Sequence, residues 1–287
     1  MKGKHRPGRS HDATDVPSRQ TGADRNRGQR HQAPRRDAHH GRGVWLYGIH
    51  AVLAAIANPE RQTYRIVVSA EAESTLGPRV TALTQNHPGR LPTAQILQRD
   101  ALERLLPRGA VHQGIAAQVD ALEEPDLDDI IRATDRHESA RVVVLDQVTD
   151  PHNVGAIVRS AAAFGAAAVV MPERNSPPTT GTLAKAASGA IERVPLVRVV
   201  NLARALDELK KAGYWCVGLD AGASTALHQA DLTGKVALVL GAEGEGLRRL
   251  TREHCDLMVR IPIVRGMESL NVSNAAAVAL YELVRLK

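Results

Sequence analysis

The amino-acid sequence predicts an α/β protein with a parallel sheet in its C-terminal half and a smaller α/β domain before it. Short, continuous apolar runs such as VVVL at 142–145 are typical of strands that are buried on both faces of a parallel sheet. Stretches with apolar residues at helical spacing alternate with these runs. A polar, acidic segment at 122–140 divides the ordered chain. The length of 287 residues has room for about two domains.

The first 43 residues differ in composition from the rest. They contain eleven Lys and Arg, four Asp and almost no large apolar side chains, whereas residues 44–287 carry 26 basic and 27 acidic side chains. We predict that residues 1–43 form a disordered basic tail, because so few apolar groups cannot offset the entropy of ordering. Such a tail can tether the protein to nucleic acid by counterion release. A solubilising extension without a specific role is the alternative.

Residues 44–121 are predicted to form the smaller domain. Apolar residues at helical spacing in WLYGIHAVLAAIANP predict a helix over 45–59, RIVVSAE at 65–71 predicts a strand, and LGPRVTALTQNHPG at 76–89 predicts a second helix. The alternation continues through residue 121. The acidic segment 122–140, interrupted by Pro125, is predicted to be a linker with a short helical piece.

Residues 141–287 are predicted to form the parallel-sheet domain. A strand over Val142–Leu145, a helix over Val154–Phe164 and a strand over Ala168–Met171 make a βαβ unit. The same pattern returns as a helix over 202–213, strands over 214–220, 236–240 and 257–263, and a final helix. Ligands of such sheets bind at the carboxyl ends of the strands.

The first loop at such an end is TDPHNVGAIVR, in which Arg159 lies on a helix of small residues. A lone arginine there indicates an anionic ligand. The alternative is an arginine that reaches solvent or pairs with an acid. His152 fits a loop side chain better than a catalytic group.

The second loop is LGAEGEGLRRL at 240–250. Its glycines allow close backbone approach, but Glu243 and Glu245 add negative charge where a diphosphate would need donors. The spacing matches neither G-x-G-x-x-G nor a P-loop, which makes a Rossmann dehydrogenase a poor fit.

The third loop is SLNVSN at 269–274, immediately before the final helix. It contains four turn-forming polar residues, Ser269, Asn271, Ser273 and Asn274. Ser269 and Asn271 can cap the helix, and capping alone is the alternative to a ligand-binding role, but one residue is enough for a cap. The excess predicts that some of them hold a ligand.

Taken together, DPHNVGAIVRSAAAFGA, GAEGEGLRRL and IPIVRGMESLNVSNAAAVALYE resemble, in order and spacing, the three motifs of the SpoU/TrmH family of RNA ribose 2′-O-methyltransferases, within the SPOUT superfamily. The resemblance covers residues 45–287. YGIHAVLAAI and NSPPTTGTLAKAASGAIERVPLVRVVNLARAL resemble the branch that modifies guanosine in large-subunit 23S rRNA.

The resemblance implies a fold and a cofactor. The domain 141–287 would contain a deep trefoil knot, a rare exception to the absence of knots in proteins, and would bind S-adenosyl-L-methionine. Gly241, Ile261 and Leu270 would contact the cofactor through their backbone, with Ser269 and Asn271 also holding it. Arg159, Asn153, Glu243, Ser269 and Asn271 would form the catalytic set, without a metal. Ser273 or Asn274 would then remain to cap the final helix.

The family also implies partners. The expected protein is a homodimer, and residues 44–121 would resemble kink-turn-binding ribosomal proteins and bind substrate RNA. We expect 2′-O-methylation of a ribose, a guanosine, in 23S rRNA. A tRNA ribose methyltransferase of the same family and a noncatalytic RNA-binding assembly factor are the alternatives.

Composition limits other classes of function. No apolar run is long enough to span a bilayer, no apolar signal segment follows the charged start, and the two cysteines fit a reducing compartment, so we expect a cytoplasmic protein without membrane or DNA partners. Aromatic residues are only 2% of the chain, which makes RNA recognition by base stacking on aromatic platforms improbable.

Overall fold

A computed structural model describes residues 43–264, 266–267 and 269–285. The predicted basic tail, except for Gly43, lies outside these residues. The first sheet has the order β1-β4-β2-β3, in which β4 runs antiparallel to β1 and β2, and β3 runs parallel to β2. Its strands are β1 (Val44–Tyr47), β2 (Thr63–Ser69), β3 (Gln95–Leu97) and β4 (Ile115–Val119), and its helices are α1 (Ile49–Ala57), α2 (Glu73–Asn86) and α3 (Arg99–Glu103).

The second sheet follows the short helix α4 (Leu127–Thr134) and has the order β7-β6-β5-β10-β8-β11-β9. Every neighbouring pair is parallel, which confirms the predicted parallel sheet. Its strands are β5 (Ala140–Leu145), β6 (Ala168–Pro172), β7 (Leu196–Val199), β8 (Trp215–Leu219), β9 (Thr225–Ala226), β10 (Lys235–Leu240) and β11 (Leu257–Arg260). Its helices are α5 (Pro151–Ala163), α6 (Gly181–Ala186), α7 (Leu202–Lys211), α8 (Arg249–Glu253) and α9 (Val272–Arg285).

The first predicted helix has the wrong starting residue. The helix predicted over 45–59 begins only at Ile49, because Val44–Tyr47 pairs with β4 as a strand. Gly48, at φ 91°, turns the chain between the two elements in a conformation that a residue with a side chain rarely adopts.

Helix α5 positions the first predicted loop. Asp150 caps it by accepting a hydrogen bond from the His152 backbone N–H at 2.9 Å, and Pro151 occupies the first helical turn. His152 is therefore an exposed residue of the helix and not a loop residue.

The two sheets share a hydrophobic core. Val52 of α1 and Ile66 of β2 belong to the same buried cluster as Val143 of β5 and Ile157 of α5. The segment 122–140 also contributes to a core, since Leu127 and Ile130 of α4 are buried with residues of β5 and α7. Strand β1 of the first sheet packs against α6, which packs in turn against α5, the helix that follows the first loop.

Candidate active site

The loops that follow β5 and β10 are joined through one carboxylate. Asp146, the first residue after β5, is completely buried. Its Oδ1 accepts a hydrogen bond from Arg248 Nε at 2.7 Å, and its Oδ2 accepts one from the Arg248 backbone N–H at 3.0 Å. The Asp146 backbone N–H donates to the Leu240 carbonyl at 2.8 Å. These bonds hold the glycine-rich loop 241–248 against the end of β5.

Three of the predicted catalytic residues meet in a hydrogen-bonded group, the amide–carboxylate cluster of Asn153, Glu243 and Asn271. Glu243 Oε1 accepts hydrogen bonds from Asn153 Nδ2 at 3.2 Å and from Asn271 Nδ2 at 2.5 Å. Asn271 Nδ2 also lies 3.0 Å from Asn153 Oδ1. Each residue comes from a different predicted loop, so the cluster brings all three motifs to one place.

The cluster is also the beginning of helix α9. Asn271 Oδ1 accepts hydrogen bonds from the backbone N–H groups of Ser273 at 3.0 Å and Asn274 at 3.4 Å, which makes Asn271 the helix cap. The expectation that Ser273 or Asn274 serves as the cap is wrong. An asparagine amide has an acceptor end and a donor end, so Asn271 caps α9 with its oxygen while its nitrogen binds Glu243.

Glu243 completes this helix start. Its Oε1 also accepts a hydrogen bond from the Val272 backbone N–H at 3.2 Å. A carboxylate at a helix N-terminus satisfies a free N–H group and interacts favourably with the helix dipole. The second carboxylate oxygen, Oε2, has no hydrogen-bond partner within the part of the chain that the structure describes.

A pocket of about 420 Å³ opens beside the cluster. Its lining includes the predicted residues Gly241, Glu243, Ile261, Ser269 and Leu270. Asn153, Asn271 and Arg159 do not line it, although Asn271 binds Glu243 at its edge. The structure therefore brings the predicted cofactor-binding backbone positions together around one cavity.

The charge of this lining is predominantly negative. Among the described residues, it includes the carboxylates of Asp220, Glu243 and Glu245 and one guanidinium, Arg252, which is paired with Asp220. Such a lining favours a ligand with positive charge over a phosphate. Sequence reasoning missed Asp220 and Arg252. Asp220 directly follows β8, so the rule that ligands bind at the carboxyl ends of parallel strands was the signal that would have found it.

The glycine-rich loop folds back on itself at the pocket wall. Ala242 and Gly246 exchange backbone hydrogen bonds of 3.1 Å and 3.0 Å. A Cβ atom on Gly241 would lie 2.1 Å from the Gly246 carbonyl carbon, so no other residue fits without a backbone shift. The bare backbone of Gly241 consequently faces the pocket without a side chain to block it.

Arg159 lies apart from the cluster. Its side chain is exposed, and its hydrogen bond runs from Nη1 to Ser188 Oγ at 3.4 Å. Six residues of α5 separate it from Asn153, which corresponds to about 9 Å of helix rise. Within the described residues, no hydrogen bond or ion pair joins Arg159 to the other four predicted catalytic residues.

Comparisons with known proteins match both segments of the ordered chain. Residues 140–281 match the model of the SpoU rRNA Methylase family, and residues 45–125 match a family described as RNA 2′-O ribose methyltransferase substrate binding. A relative from Xylella fastidiosa, named 23S rRNA (guanosine-2′-O-)-methyltransferase RlmB, is 44% identical over 84% of this chain and 96% of its own length. The RlmB of Vibrio cholerae is 45% identical over the same shares.

The chain belongs to the SpoU methylase family. The first sheet coincides with the match to the substrate-binding family, and the second sheet coincides with the SpoU match. Among solved structures, the SpoU methyltransferase AviRb from Streptomyces viridochromogenes, in complex with AdoMet, is 25% identical with a TM-score of 0.69 and covers 84% of this chain and 89% of its own. This chain thus has an α/β architecture, with a parallel sheet in its SpoU segment and a substrate-binding domain before it.

Two further findings concern the described residues of this SpoU protein. None of their helices combines the length and apolar character needed to cross a bilayer. Their His, Cys, Asp and Glu side chains form no group of three or more suited to holding a metal ion.

Proposed function

We propose that this chain uses S-adenosyl-L-methionine to methylate a ribose 2′-hydroxyl, on a guanosine, in 23S rRNA. The observation that carries the proposal is the match to RlmB relatives over nearly their whole length. The amide–carboxylate cluster adds a structural reason. Each of the three motifs contributes one residue to it, and these residues are hydrogen-bonded to one another.

The pocket beside the cluster suits this cofactor. S-adenosyl-L-methionine supplies a methyl group activated by a sulfonium, and its net positive charge matches the carboxylates of the lining. Apolar side chains such as Leu240, Ile261 and Leu270 offer a surface for an adenine. The backbones of Gly241, Ile261 and Leu270, with Ser269 and Asn271, would hold the cofactor.

The cluster would orient the ribose. The 2′-oxygen would form a bond to the methyl carbon as the carbon–sulfur bond breaks, S-adenosylhomocysteine would leave with the bonding electron pair, and the hydroxyl proton would pass to solvent water. Such a displacement depends mainly on alignment. Asn153 and Asn271 are held by Glu243, so their amides are fixed where a ribose would be positioned. Oε2 of Glu243 remains available to substrate or solvent.

Arg159 would act on the RNA backbone. A guanidinium does not lose its proton in proteins, so it is a poor general base. Its distance along α5 from Asn153 suits a phosphate neighbouring the reacting ribose better than the reacting oxygen itself. We therefore assign Arg159 the anchoring of that phosphate.

We also propose that the protein is a homodimer built on α9. Val278 and Tyr281 of this helix are 44% and 55% exposed, and the nearby loop exposes Val264 and Met267. An apolar surface beside a catalytic site favours a second copy as its cover. Val278→Lys would place a charge in the proposed interface, so the sedimentation coefficient should fall to that of a monomer. Val200→Lys, at a 90% exposed valine after β7, is the matched control.

The finer organisation is proposed on the same basis. Residues 44–121 would bind substrate RNA with a fold like that of kink-turn-binding ribosomal proteins, 122–140 would link, and 141–287 would form the knotted catalytic domain. The knot would lie where the chain after β11 meets the loop after β10, which Glu243 joins through its bonds to Asn271 and Val272. Two free cysteines support a cytoplasmic location.

Residues 1–43 would tether the enzyme to RNA. Each Lys or Arg that neutralises a phosphate makes binding more salt-dependent. Deleting this segment should therefore lower the salt dependence of RNA binding. An unaltered salt slope would count against the tether.

The decisive experiment maps ribose methylation in rRNA and tRNA from cells lacking this protein by mass spectrometry. Loss of one 2′-O-methylguanosine from 23S rRNA, restored by the wild-type chain and not by Arg159→Ala, is the expected result. Loss from tRNA would support a tRNA methyltransferase. No loss, together with RNA binding, would support the noncatalytic assembly factor.

A further inference from the structure

A second cavity, the α1–α5 groove, lies where the substrate-binding segment meets the SpoU segment. It has a volume of about 310 Å³ between α1, α5 and the turn at 187–190. Four polar side chains line it: His50, Arg159, Ser188 and Arg193. The rest of its described lining consists of alanines and Gly189, and none of these residues is Asp or Glu.

The two guanidinium groups of the groove lack acidic partners. Within residues 43–264, 266–267 and 269–285, nine arginines form salt bridges with carboxylates. Arg159 and Arg193 are not among them, and the only hydrogen bond from either side chain in these residues is the one to Ser188. The groove therefore has two positive charges that the described chain leaves unneutralised.

The backbone on two sides of the groove is tightly packed. Gly189 adopts φ 83°, and a Cβ atom there would lie 2.5 Å from Ala54 Cβ and 2.9 Å from the His50 carbonyl oxygen. The turn 187–190 is thus pressed against α1, and both His50 and Ser188 line the cavity. Small alanine side chains from α5, including Ala162 and Ala163, leave room between the polar groups.

We propose that the α1–α5 groove binds a phosphodiester group of the substrate RNA, with Arg159 and Arg193 as charge partners and His50 and Ser188 as hydrogen-bonding side chains. Arginine suits this ligand because its planar fork binds phosphate oxygens with two parallel hydrogen bonds. Naming the RNA as substrate rests on the proposed function. The new element is a docking point formed jointly by both segments, with Arg193 and His50 as RNA-binding residues.

Arg193→Ala tests the groove. The probe is an unmodified 23S rRNA transcript, and its binding is measured without S-adenosyl-L-methionine over a series of KCl concentrations. Loss of one phosphate contact should reduce the slope of log K against log salt by about 0.7 to 0.9. Arg193→Lys should retain the slope, because lysine keeps the point charge. His50→Ala should weaken binding at each salt concentration.

The control is Arg204→Ala, which removes another exposed guanidinium, on α7, that is paired with Glu208 and does not line the groove. Equal slopes for Arg193→Ala and Arg204→Ala, with thermal unfolding midpoints like wild type, would overturn the proposal. Methyl transfer is measured separately. The wild-type protein could bind the transcript without methylating it, while Arg193→Ala still lowers the slope. That result would contradict the proposed function and support the α1–α5 groove as a phosphate site.

Discussion

The carboxylate of Asp146 receives two hydrogen bonds from a single residue, Arg248, one from the side chain and one from the backbone. Asp146 is completely buried, whereas the Arg248 side chain is half exposed. The carboxylate therefore depends on Arg248 for its neutralising charge. Because Arg248 ends the glycine-rich loop, this pair links the stability of the fold to the position of the pocket.

Arg248→Ala should destabilise the protein by about 1.5–3 kcal/mol, the contribution typical of a hydrogen bond to a charged group. Urea unfolding measures the loss. The neighbouring Arg249→Ala should change stability little, because Arg249 forms an exposed pair with Glu253 one helical turn away. Similar losses for the two variants would show that the buried carboxylate does not need its partner.

Glu243→Gln should lower the rate of methyl transfer about 100-fold, since misplacing the groups that align a substrate has a cost of this order. The amide can keep its oxygen towards the donors of Asn153, Asn271 and Val272, but it removes the negative charge and places an N–H donor where Oε2 has no partner among the described residues. Single-turnover transfer of labelled methyl groups to 23S rRNA measures the effect. Glu245→Gln, in the same loop, is the control and should keep most of its activity. Full activity of Glu243→Gln would remove the cluster from the reaction centre.

Arg159→Ala should keep cofactor binding and lose methyl transfer by about 100-fold or more, because the phosphate that positions the ribose is no longer anchored. Calorimetry with S-adenosyl-L-methionine and transfer to rRNA separate the two effects. Arg159→Lys should recover part of the activity, as lysine retains the charge and loses the two-pronged geometry. Unchanged transfer by Arg159→Ala would refute its assigned role.

Gly241→Ala should weaken binding of S-adenosyl-L-methionine, because its Cβ atom would collide with the Gly246 backbone and move the loop. A forced backbone shift of this kind typically costs about 1–3 kcal/mol. Gly77→Ala in α2, where a Cβ atom meets only ordinary contacts, is the control and should leave cofactor affinity as in wild type. Normal affinity in Gly241→Ala would exclude this loop from the cofactor site.

The two cysteines should react slowly with maleimide in the native protein. Burial, and after it the Asp256 carboxylate, raises the pKa of Cys216 and Cys255 to about 12, from an ordinary 9.0. Few thiolates therefore exist near neutral pH. Since the folded pKa is the higher one, stability should fall as the pH rises from about 9 towards 12. Cys216 is buried and Cys255 is half-buried, so rapid labelling of Cys216 without denaturant would contradict this prediction.

Strong periodicity made most of the second sheet predictable. The strands at 142–145 and 168–171 and the helix after Pro151 are found within a few residues of their predicted bounds. The six-residue helix α6 was not predicted. Helices this short depend on tertiary packing more than on local propensity, and α6 is held between α5 and β1.

The candidate site was predictable where a residue violates a local preference. Glu243 stood out because a carboxylate in a glycine-rich loop is unsuited to a phosphate ligand, and the structure gives it three donors. The double role of Asn271 was not predictable, because it depends on a residue that is distant in sequence. Arg193 gave no signal, since an exposed arginine is ordinary until the groove around it is known.

The cluster also constrains the order in which the protein matures. Asn271 and Asn153 are 118 positions apart, so their bond closes a long stretch of chain. Contacts between distant positions form late in folding, and chains fold from the N-terminus during synthesis. A nascent chain that has emerged only as far as β11 contains every strand of the first sheet and still lacks the residue that completes the methylation site.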